Sequence, residues 1–128
     1  MRLLIDSHTL IWAVDIPSRL SSTATTLLQN SANQLEISAA TIWEISIKAG
    51  IGKLNLSQPF RPWIEKAISD LSLRVLPITV EYADAQSHLP YHHGDPFDRM
   101  MIAQSLTDAL PFVSADSQFD AYGVNRIW

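Results

Sequence analysis

The chain contains no cysteine, which removes disulfides, zinc–thiolate centres and thiol nucleophiles from consideration. The absence fits a reducing compartment. No apolar run approaches the roughly 18–20 residues that span a bilayer, so no membrane segment is expected. The opening stretch MRLLIDSHTLIWAV is broken by Asp6 and His8, whereas a secretory signal needs an unbroken apolar stretch and a small-residue cleavage site. A soluble cytoplasmic protein is the expectation. No glycine-rich phosphate loop, dinucleotide fingerprint or Gly-x-Ser-x-Gly elbow is present, so nucleotide-fold and serine-hydrolase readings have little support. Positive charge is scarce as well, with 9 Lys and Arg against 13 Asp and Glu and a formal net charge of −4. That speaks against nucleic-acid binding, which normally rests on basic patches. The objection weakens where acids cluster around a divalent cation, because the ion inverts the local field.

What is there suits one globular domain spanning 1–128. The length is 128 residues, 47% of them hydrophobic and 17% charged, enough to bury a core. Strands are expected at 2–6 (RLLID), 36–38 (EIS), 74–78 (RVLPI), 112–114 (FVS) and 125–128. Helices are expected over 7–14, 21–30, 39–49, 59–71, 79–89, 96–109 and 116–122, with Gly50 as a helix stop and Thr79 as a cap. The alternation predicts a three-layer α/β fold, with a mostly parallel sheet of four to five strands between helices.

Four acids then stand out by position. Asp6 ends the first strand, Glu44 lies in the helix after the second, Asp98 in the first turn of the helix opened by Pro96, and Asp116 just beyond the fourth strand. In an open parallel sheet, sites after different strands converge at the carboxyl edge. Each aspartate has a structural alternative as a helix cap, and Glu44 can pair with Lys48 one turn on. Glu44, however, sits among Ile42, Trp43, Ile45 and Ile47, where an uncompensated carboxylate is costly. Clustered carboxylates repel one another unless a cation neutralises them. Oxygen ligands without sulfur suit Mg²⁺ or Mn²⁺, which can activate water against a phosphodiester. His92 and His93 read as a polar loop pair, with metal ligation or general-base chemistry as the sharper alternative.

The segments LLIDSHTLIWAV (3–14), SAATIWEISIKAGIGKL (38–54), LPYHHGDPFDRMMIAQS (89–105) and FVSADSQFDAYGV (112–124) together resemble the PIN-domain family, specifically the VapC-type toxins of type II toxin–antitoxin systems. The resemblance implies a PIN fold and a ribonuclease using Mg²⁺ or Mn²⁺ held by Asp6, Glu44, Asp98 and Asp116. It places Asp95 at the edge of the site or as a cap, and Ser114 as a hydroxyl near the metal. It further implies an RNA substrate, a homodimer and a cognate antitoxin whose peptide covers the groove. Trp43, Ile47 and Ile51, with Trp63, are candidates for partner contact, and Lys48, Lys53, Arg61 and Arg99 for RNA contact. A catalytically silent binding module, and a metal-dependent nuclease acting on DNA, stay open as alternatives.

Overall fold

The computed structural model describes residues 1–128, in which five short strands alternate with six α-helices. The strands are β1 (Arg2–Ile5), β2 (Gln34–Ser38), β3 (Arg74–Leu76), β4 (Phe112–Val113) and β5 (Arg126–Ile127). The helices are α1 (Ser7–Asp15), α2 (Ser22–Gln29), α3 (Ala39–Gly50), α4 (Phe60–Asp70), α5 (Val80–Ser87) and α6 (Pro96–Asp108), with 3₁₀ turns at Pro17–Arg19 and Ser117–Tyr122. The sheet runs β3-β2-β1-β4-β5, and every neighbouring pair is parallel.

Period-two alternation puts one side of each strand into each of two cores. Leu3, Ile5, Leu35, Ile37 and Val113 pack with Leu10, Ala24, Ile45, Trp63, Ile64 and Ala67 of α1 to α4. Leu4, Leu76 and Phe112 point the other way, onto Met101 and Ile102 of α6 and Phe119 and Tyr122 of the second 3₁₀ turn. Helices therefore cover both faces, which a parallel sheet requires for its buried strands.

Several boundaries differ from expectation for local reasons. β2 starts earlier, at Gln34, because the Gln34 N–H pairs with the Met1 carbonyl at 2.8 Å. β3 ends at Leu76, since Pro77 has no N–H to continue the ladder. Gly50 is helical, and the chain turns instead at Gly52, whose φ of 76° lies in the left-handed region that glycine tolerates. Residues 117–122 form a 3₁₀ turn rather than an α-helix.

The strand order has one consequence for function. From β1 the sheet grows to one side through β2 and β3, and to the other through β4 and β5. The switch in direction lies between β1 and β4. Helices leaving on opposite faces open a crevice beyond their carboxyl ends, where ligands of open α/β sheets bind. Asp6 and Ser114 are the next residues after those two ends.

Candidate metal centre

Asp6 is 4% exposed and held at both oxygens. Its Oδ1 accepts the Thr9 N–H at 2.8 Å, capping α1, and its Oδ2 accepts the Ser114 hydroxyl at 2.6 Å. The Thr9 hydroxyl donates to the Val113 carbonyl at 3.1 Å, fastening the first turn of α1 to the end of β4. Ser114 Oγ also accepts the Asp116 N–H at 3.0 Å. One buried hydroxyl thus ties together two acids from opposite ends of the sequence. Asp116 caps the following 3₁₀ turn by accepting the Gln118 N–H at 2.9 Å through Oδ1. Both aspartates are caps, as their structural alternative has it. For Asp116 that takes only Oδ1, and each Asp6 oxygen keeps a lone pair beyond its single donor. Asp6, His8, Trp12, Ala115 and Asp116 line one open cleft of about 300 Å³.

Glu44 and Asp98 meet across the contact of α3 with α6, where the Thr41 hydroxyl donates to the Met101 sulfur at 3.0 Å and Trp43 meets Phe97 edge-on at 5.3 Å. Glu44 is 3% exposed. Lys48 does pair with it, Nζ to Oε2 at 2.7 Å, but Oε1 is buried without any partner. An oxygen so placed has lost its water and gained nothing. Asp98 sits behind the α6 cap, in which Asp95 accepts the N–H groups of Phe97 at 2.9 Å and Asp98 at 3.0 Å. Burial pushes the Asp98 carboxyl up to about 6. The Asp95 charge adds to the shift, the hydrogen bond from His93 opposes it, and the Glu44 charge raises it further.

The acids therefore form two linked pairs, Asp6 with Asp116 and Glu44 with Asp98, and no three groups stand ready around one ion. Carboxylates gathered in one place repel one another unless a cation neutralises them. The protein supplies little charge of its own. Lys48 is committed to one oxygen of Glu44, and Arg126 grips Asp120 at 2.7 and 3.0 Å while donating to the Ser114 carbonyl at 3.1 Å. An orphaned buried carboxylate oxygen, a carboxyl lifted by burial and by its acidic neighbours, and an all-oxygen donor set fit a hard divalent cation such as Mg²⁺ or Mn²⁺.

Other sequence expectations are corrected. Arg99 is not available to RNA: it is 2% exposed, donates to the carbonyls of Pro90 (2.8 Å), Gln86 (3.2 Å) and Leu89 (3.2 Å), and lies 3.9 Å from the centre of the Tyr91 ring. Trp63 is 1% exposed core, its indole N–H donating to Asp15 at 3.1 Å, so it is no partner contact. Arg61 is exposed but paired with Glu65 at 2.8 Å. His93 is more than a polar loop residue, since Nε2 lies 3.2 Å from Asp98 Oδ2 and Nδ1 lies 2.7 Å from the Tyr122 hydroxyl. Tyr122 was invisible as a site residue in sequence, because its partners lie 29 and 30 residues away.

No curated protein matches the chain by sequence. Solved structures do match its fold. A chain of the VapBC2 complex from Rickettsia felis, crystallised on a fragment of promoter DNA, superposes with a TM-score of 0.75 at 12% identity, covering 99% of this chain and 98% of that one. DNA-bound VapBC from Salmonella typhimurium gives 0.73 at 16% identity, with 99% and 97% covered. VapC20 from Mycobacterium tuberculosis, described as a sarcin–ricin loop cleaving toxin, gives 0.67 at 16% identity, with 95% of each chain covered. The PIN domain model matches residues 3–125, from the first strand to the last loop, and the chain belongs to the PIN domain family.

Proposed function

We propose that this chain is a Mg²⁺- or Mn²⁺-dependent endoribonuclease, the toxin of a type II toxin–antitoxin pair acting in the cytoplasm as a homodimer. The observation that carries the reading is the unpartnered Oε1 of Glu44, buried near an Asp98 carboxyl that burial, with the charges of Asp95 and Glu44, lifts to about 6. That arrangement is unfavourable for an ion-free protein and favourable for a cation site. The fold neighbours support the biological role, since VapC20 is described as a toxin and VapBC-5 from Mycobacterium tuberculosis as a member of the VapBC family of toxin–antitoxin systems.

Asp6, Glu44, Asp98 and Asp116 hold the cation, directly or through water. Once bound, it supplies an activated water and stabilises charge developing on the phosphodiester. The chain does the rest. The Ser114 hydroxyl and the Thr9 N–H fix the Asp6 carboxylate in one orientation. Trp12 lies against His8 on one side and Trp128 on the other, with ring centres 5.8 Å apart and planes tilted by 49° and 60°. They offer unpaired bases a stacking surface beside the acids, a source of affinity for a protein with few phosphate-binding cations. The antitoxin peptide is assigned to the face of α3 carrying Trp43, Ile47 and Ile51, which are 60%, 37% and 62% exposed.

Cleavage of matched single-stranded RNA and DNA by the parent and by Asp6→Asn, with Mn²⁺ and with chelator, tests the proposal. Asparagine keeps the capping acceptor, so the fold should persist. RNA cleavage by the parent should need the cation and fall about a thousand-fold in Asp6→Asn. An inert parent, or an Asp6→Asn protein that cuts equally well, would overturn the proposal, and preference for DNA would change its substrate.

A further inference from the structure

The loop before α6 is organised around a single hydroxyl. The Tyr122 oxygen accepts the backbone N–H of His92 at 3.2 Å and that of His93 at 3.1 Å. A phenol has two lone pairs and one proton. Both acceptor positions are filled, so the proton has to be donated. The nearest acceptor is Nδ1 of the His93 ring at 2.7 Å, while the His93 carbonyl is farther, at 3.3 Å. If Nδ1 accepts, the neutral imidazole carries its own proton on Nε2. Nε2 lies 3.2 Å from Asp98 Oδ2. The count of donors and acceptors therefore makes it a donor to that carboxylate. The opposite tautomer would aim a lone pair at a carboxylate oxygen and crowd a third donor onto Tyr122. Phe119 and Tyr122 flank the ring at 6.4 and 5.4 Å, and the side chain is only 19% exposed.

We infer that His93 is a positioning residue for the cation site. Tyr122 selects its tautomer, and the Nε2–H so presented holds Asp98 by Oδ2, fixing the carboxylate that would help to hold the cation. The inference rests on the metal-site reading above and adds two residues that it did not contain. A purely structural His93 would need only its ring volume and its backbone bond to Tyr122. A positioning His93 needs a donor at the place of Nε2. Outer partners that orient ligating carboxylates typically change metal affinity by about 10–100-fold.

Mn²⁺ affinity measured by calorimetry on the purified chain separates the two. His93→Ala should weaken binding about 10–100-fold. His93→Gln places an amide N–H near the position of Nε2 and has no tautomer to select, so it should recover most of that loss. Tyr122→Phe should weaken binding in the parent and have little effect in the His93→Gln background. Ring ¹⁵N spectra of the metal-free parent should report the Nε2–H tautomer, and those of Tyr122→Phe a mixture. Melting of each metal-free variant reports damage to the fold separately. An Nδ1–H ring in the parent, a glutamine variant as weak as the alanine one, or an alanine variant that binds like the parent would overturn the inference while leaving the metal site standing. A parent that binds no Mn²⁺ would overturn both.

Discussion

Buried acids occur in the body of the sheet and beyond its carboxyl end, and the two regions treat them in opposite ways. Midway along β2 Glu36 is fully buried, yet Arg2 grips both its oxygens at 2.7 and 3.0 Å and Arg74 stands 3.9 Å away. Arg2 also lies 3.7 Å from Asp108, which in turn accepts the Tyr82 hydroxyl. That hydrogen bond, with burial, pushes the Tyr82 phenol up to about 12. At the carboxyl end, Asp6, Glu44, Asp98 and Asp116 face hydroxyls, backbone N–H groups, an imidazole and one lysine, and a Glu44 oxygen faces nothing. Burial of a carboxylate is common to the two regions. Missing positive charge is found only at the second, and that shortage marks the site.

The sharpest way to break the comparison is to remove one charge from each region, an acid from the site and the arginine that pairs with Glu36. Asp116→Asn keeps its capping acceptor, so RNA cleavage should fall about a thousand-fold with the melting temperature nearly unchanged. Arg2→Ala should do the reverse. It strands a fully buried Glu36 with only Arg74 at 3.9 Å, which, with Arg2 itself 42% exposed and partly screened by solvent, should cost about 1–3 kcal/mol in denaturant unfolding, while kcat stays at the parent value.

A smaller effect should appear in the pH dependence. The folded protein holds the Asp98 carboxyl at about 6, above its ordinary 3.8, so the fold favours the neutral form. The corresponding stability is fully present below the ordinary value and is lost as pH rises through about 6. Metal-free Asp98→Asn should therefore be more stable than the parent above neutrality, by about 1–2 kcal/mol after allowing for solvent screening, and nearly equal to it in acid. With Mn²⁺ the parent should instead gain stability as pH rises, because binding requires the ionised carboxylate. Smallest of all, Arg61→Ala breaks an exposed pair with Glu65 and should shift stability by no more than about 0.5 kcal/mol.

The sequence displays features whose causes are local. Asp6 and Asp116 are recognisable because a short apolar strand ends just before a helix start, and both do cap the turns that follow. Asp95 and Thr79 are readable as caps for the same reason. Features that depend on distant partners are hidden. Glu36 looks like the polar position of a half-exposed strand, and its burial depends on Arg2, 34 residues earlier. Arg99 looks like a free cation beside Asp98, but the loop before α6 folds its carbonyls onto the guanidinium. The link from Tyr122 through His93 to Asp98 exists only once the second 3₁₀ turn packs against that loop.

The central claim is that the carboxyl end of the sheet is short of a cation, whereas the acid in the body of the sheet already has one in protein form. Thermal melting during a Mn²⁺ titration tests it most directly, since an ion that binds only the folded state raises the melting temperature with its concentration. The parent and Arg2→Ala should show the same Mn²⁺-dependent rise from different starting points, and Asp6→Asn should show none. A parent that melts at one temperature regardless of Mn²⁺, or an Asp6→Asn protein that rises as the parent does, would contradict the account.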